Sequence, residues 1–156
     1  MWGVRRAANL ATRPKIASLY DSASVSILRR FAYLTAAVNA VVGLALAAVP
    51  KFVTKTVFSQ VPYPEYAWVR IAGVEAFGLA LLQVLVAQRA AEVWWWSWAF
   101  VIVEGLIAVI AALNAIFGLT AGSSSVLWWL IAGVNAVLTA GILWGLGRTG
   151  QERPLP

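Results

Sequence analysis

Residues 100–115 read FVIVEGLIAVIAALNA. The stretch is apolar enough to lie in hydrocarbon, yet it carries one carboxylate, Glu104, near its middle. A second acid, Glu75, lies inside another apolar run, residues 66–87, YAWVRIAGVEAFGLALLQVLVA. A charged side chain at the centre of a bilayer costs about 2.5–3.5 kcal/mol even on insertion-based scales. Two acids in membrane-length segments are therefore the most informative residues of the chain.

Composition points the same way. Of 156 residues, 62% are hydrophobic and 12% are charged, whereas soluble domains carry about 25% charged residues. Mean hydropathy is +0.80, and the length suits one domain. The chain has no cysteine, which excludes disulfides, iron–sulfur clusters and thiol catalysis. It has no histidine, which removes the usual ligands of haem, copper and zinc and any Ser-His-Asp chemistry. No cofactor is expected. The net charge of +6 flanks the apolar runs, so it points to orientation in a membrane rather than to nucleic acid.

Four crossings follow from the apolar runs, at about 31–49, 66–87, 93–117 and 126–147. The predicted fold is all-α, an integral membrane four-helix bundle. Residues 1–30 form a basic cytoplasmic lead without the apolar core of a signal peptide. Ile16, Leu19, Tyr20, Ala23 and Ile27 recur at helical spacing, which predicts a short amphipathic helix over 16–29 on the membrane surface; the competing reading is a disordered basic tail. Residues 51–65 connect the first two crossings, with Phe52, Val53, Val57 and Phe58 as an amphipathic stripe ending before Pro62 and Pro64. Trp94, Trp95, Trp96 and Trp98 open the third crossing, and Trp128 and Trp129 the fourth, positions suited to the headgroup interface. Residues 148–156 form a polar tail. Arg5, Arg6, Arg13, Lys15, Arg29 and Arg30 share one side with Arg89, Arg148 and Arg153, while the other side holds Lys51 and Lys55. That bias predicts a plasma-membrane protein with both termini cytoplasmic.

Each crossing carries one polar residue near its middle: Asn39, Glu75, Glu104 and Asn135. By helical rise each lies roughly 12 to 17 Å from the start of its crossing. Small neighbours such as Gly43, Ala72, Ala108 and Ala132 allow helices to approach closely, so the four polar faces are expected to point inward toward one another. Short matches, IAGVEA at 71–76 against IAGVNA at 131–136, underline the pattern without establishing a repeat. Gln83 and Asn114 are read as interhelical hydrogen-bonders at the edges of this layer. Arg70 lies nearer the outer surface and about 140° around its helix from Glu75. It is placed either to reach Glu104 or to snorkel toward Glu65 and the headgroups.

Residues 43–50, then Phe58, then Arg70-Ile-Ala-Gly73 with Gly78 following, resemble the DoxX-like group of small bacterial four-helix membrane proteins. The resemblance covers about residues 31–147 and implies a short amphipathic connector after the first helix and an Arg-x-x-Gly start to the second. The acids at Glu75 and Glu104 and the Trp-rich third helix depart from it. The Ala/Val/Gly/Arg-rich composition resembles that of a high-GC bacterium.

Three functional classes remain open. The absence of catalytic groups and the abundance of small-residue faces favour a non-enzymatic accessory or structural subunit, with lipid and either a second copy or a larger membrane complex as partners. The alternative is a small transporter or channel using Glu75 and Glu104 as a proton or cation site. A lipid- or quinone-active enzyme with the two carboxyls as acid and base is the third and least favoured.

Overall fold

The computed structural model describes residues 23–118 and 124–152. Its four long helices are α1 (Ala23–Ala48), α2 (Ala67–Gln88), α3 (Ser97–Phe117) and α4 (Ser125–Glu152). All four are long and apolar enough to cross a membrane. In lipid every backbone polar group must be satisfied within the segment, which only a helix achieves for a single crossing strand of chain. The protein is thus an all-α, multi-pass membrane protein.

Helix α1 lies along α2 and also against α4, and α3 lies along α4, whereas α2 and α3 touch sparsely. The closest approach is between α1 and α2 at two glycines. A Cβ on Gly43 would lie 2.6 Å from the Phe77 backbone nitrogen, and one on Gly73 would lie 2.5 Å from that of Ala47. Only hydrogen fits between these backbones, so the glycines are what permits the contact. On the other side of α1, Gly145 of α4 meets the Leu28 backbone and Gly141 lies under the Phe31 ring.

One end of the bundle holds the packed core. Leu28 at the start of α1, Val86 at the end of α2, Trp94, Phe100 and Val101 around the start of α3, and Ile142 and Leu146 late in α4 form one buried cluster. Elsewhere the surface is apolar: Val41, Leu85, Ile102 and Leu130 are all exposed, the inverse of a water-soluble protein and the arrangement lipid requires.

Several boundaries differ from the sequence expectation. Residues 23–30 are not a separate surface segment, because α1 runs through them without a break and buries Ser24, Val25 and Leu28. The rest of the basic lead lies outside the described residues, as do 153–156 of the tail. Helix α4 continues past 147, and Thr149 there is buried, its hydroxyl donating to the Gly145 carbonyl at 2.8 Å. A short helical lead-in, Ala90–Val93 then Trp94–Trp96, precedes α3, so the regular third helix starts at Ser97 rather than 93. The sequence assigned Trp94 to the interface; it is instead buried in the core, its ring against Gly150, while Trp96 and Trp98 are exposed.

The connector is helical but not one regular helix. Pro50–Phe52 begins an α turn that widens into a π turn over Val53–Val57 and ends at Ser59, which has positive φ. Val53 and Thr54 face inward, and the Phe58 ring packs 5.5 Å from that of Trp128 at the start of α4. At the far end of α3, Gly118 adopts the left-handed conformation that closes a helix, its N–H donating to the Asn114 carbonyl at 3.0 Å.

Candidate functional site

Three helices converge on one carboxylate. Asn39 Nδ2 of α1 donates to Glu104 Oε1 of α3 at 2.7 Å, and Gln83 Nε2 of α2 donates to the same oxygen at 3.2 Å. Asn39 Nδ2 also donates to Gln83 Oε1 at 3.2 Å, closing a triangle. Glu104 and Gln83 are fully buried and Asn39 is partly so. Glu104 Oε2 is buried without a hydrogen-bond partner among the described residues.

The helical register explains this meeting. Helices α2 and α3 are consecutive and antiparallel, joined through residues 89–96. Gln83 lies five residues before the end of α2 and Glu104 seven residues into α3. At 1.5 Å per residue both sit about 8 to 11 Å from the shared end. Glu75 lies thirteen residues before that end, about 20 Å away, and so at a different depth from Glu104.

The inward-facing polar layer is therefore only partly realised. Asn39 and Glu104 come together. Asn135 is buried but turns back to its own helix, Nδ2 donating to the Ile131 carbonyl at 2.8 Å. Glu75 is exposed on the outer surface of the bundle. Its helical neighbours Ala72 and Gly78 are exposed too, and nothing lies within 4 Å of where a Gly78 Cβ would be. Arg70 is exposed and lines a cavity with Lys51 and Lys55 beside the connector, so it belongs to the membrane edge rather than to Glu104. Gln83, read from sequence as an edge residue, is a corner of the triangle. Its signal was the antiparallel register of the α2–α3 hairpin, not its distance from the start of its crossing.

Chemically the triangle does one thing plainly: it ties α1, α2 and α3 by side-chain hydrogen bonds across a low-dielectric interior. Such bonds between membrane helices average about 0.6 kcal/mol and reach about 1.7 kcal/mol. It links α2 to α3 where their backbones touch little. The second carboxyl oxygen is left over from this task.

The fold and this interior cluster define a four-helix, multi-pass membrane protein. Comparison with protein-family models, curated proteins and solved structures finds no match.

Proposed function

We propose that the chain is a non-enzymatic accessory or structural membrane subunit that works through helix contacts, and that the face of α2 bearing Glu75 packs against a second copy of itself. The observation that carries this reading is the exposed position of Glu75 deep within a crossing. A carboxyl left against acyl chains finds no hydrogen-bond partner there. A two-fold axis beside Glu75 brings the residue to its own symmetry mate. Ala72 and Gly78, three residues to either side, are small enough to let two such helices approach. In the same proposal the protein lies in the cell membrane with both termini cytoplasmic, and the DoxX-like resemblance holds for its architecture. The test is self-association of labelled protein in liposomes: dimerisation weakened by Glu75→Val and by Gly78→Leu supports the reading, and a monomer at every lipid dilution rejects it.

One observation favours a second reading, a proton- or cation-linked transporter. Among the described residues Glu104 Oε2 is buried and unpartnered, an acceptor held ready inside the bundle. Proton flux into pyranine-loaded liposomes under an imposed potential tests it. Flux abolished by Glu104→Gln in folded protein supports a transporter, and flux equal to empty liposomes rejects it.

A further inference from the structure

Where α1 ends and α2 begins, the connector encloses an open cavity of about 560 Å³. That volume lies within the roughly 300–1,000 Å³ of small-molecule sites. Three cationic side chains line it, Lys51 and Lys55 from the connector and Arg70 from the first turn of α2. Among the described residues no carboxylate lines it. The remaining polar lining is Thr56 and Tyr66, the Tyr66 hydroxyl itself being buried away from the hollow. Phe52, Ala48 and Val49 complete an apolar wall.

Three like charges around one hollow repel one another unless an anion sits among them. Arginine adds a planar fork that binds phosphate through two parallel N–H···O bonds, and lysine adds point charges. The cavity lies at the ends of two crossings, level with the headgroup region rather than the hydrocarbon. Phosphate headgroups lie at this depth in either leaflet, within reach of charge-assisted hydrogen bonds from these side chains.

We propose that Lys51, Lys55 and Arg70 form a binding site for a phosphate anion, presented as the phosphodiester headgroup of an anionic lipid or as free phosphate. In the lipid case the acyl chains run down the exposed outer surface of the bundle beside the apolar wall. The site is independent of the Glu75 face and of the Glu104 triangle.

The test uses the full chain in mild detergent, titrated with phosphatidylglycerol, with zwitterionic phosphatidylcholine and, at matched ionic strength, with inorganic phosphate. Binding is followed by native mass spectrometry and by the shift in melting temperature. The site predicts phosphatidylglycerol bound at least tenfold more tightly than phosphatidylcholine, and a loss of about tenfold or more in Lys51→Gln/Arg70→Gln. Lys55→Gln alone should lose several-fold, because it removes one of the three charges. Arg148→Gln, at the far end of α4, should change nothing. Saturable binding of inorganic phosphate with the same variant sensitivity, and no preference for phosphatidylglycerol over phosphatidylcholine, assigns the site to the free anion. Should the double variant not fold, Lys51→Gln and Lys55→Gln carry the test, each expected to weaken binding several-fold. Anion binding indifferent to all these changes, or reduced equally by Arg148→Gln, overturns the proposal.

Discussion

Asn39 and Glu104 are 65 residues apart in sequence, and the Asn39 amide lies 2.7 Å from the carboxylate oxygen of Glu104 in the middle of the bundle. With Gln83 they make a closed set of three hydrogen bonds joining α1, α2 and α3. The consequence is a difference between two substitutions at one position. Glu104→Gln keeps an acceptor oxygen and nearly the same volume, so the triangle survives and stability falls by less than about 1 kcal/mol. Glu104→Leu leaves the amides of Asn39 and Gln83 facing an apolar side chain, at about 1–3 kcal/mol for each unsatisfied group. Unfolding titrations in mixed micelles measure both, and equal losses would remove the hydrogen bonds from the account.

The glycine crossing gives a steric prediction. A Cβ on Gly43 meets backbone atoms of Phe77 and Gly73, which cannot rotate away as a side chain can. Gly43→Ala should therefore destabilise the α1–α2 pair by roughly 1–3 kcal/mol, the range of overpacking. Gly133, with nothing within 4 Å, is the control, and Gly133→Ala should be neutral or slightly stabilising. Melting temperatures of the two variants decide it.

Tryptophans that look alike in sequence should behave differently. Trp94 is buried in the end cluster, whereas Trp98 is half-exposed on the outer surface. Trp94→Ala should cost on the order of 3–5 kcal/mol and Trp98→Ala much less. Comparable losses would mean that the end cluster is not the stable core of the bundle.

Topology is open to direct labelling, and the cysteine-free chain needs no prior substitutions. With both termini cytoplasmic, a cysteine at Gln60 or Ser124 reacts with an impermeant maleimide on intact cells. One at Gln88 reacts only after permeabilisation. The opposite pattern reverses the orientation read from the basic residues.

The sequence made the architecture legible because hydrocarbon accepts few solutions: long apolar runs with polar interruptions become crossing helices. It placed Glu104 and Asn39 on inward faces correctly, since small residues accompany them. It could not say that Glu75 faces outward, because Ala72 and Gly78 suit a helix contact inside the bundle as well as one outside it. Counting depth from the start of each apolar run also misled. Residues 90–96 look like part of the third crossing but form a separate lead-in, which shifts the Glu104 level toward Gln83 and away from Glu75. Trp94 could not be told from its neighbours, because tryptophan serves equally at an interface and in a core.

In the proposed dimer, Glu75 lies at the contact between two copies of the chain. Dilution of donor- and acceptor-labelled protein in liposomes measures the dimer constant directly by energy transfer. The wild type should form a saturable dimer, weakened roughly threefold to twentyfold by Glu75→Val, the span expected for one hydrogen bond between membrane helices. Gly78→Leu should weaken it at least as much, by holding the helices apart. Energy transfer that falls to the random-proximity level at all dilutions, or a dimer indifferent to both substitutions, would contradict it.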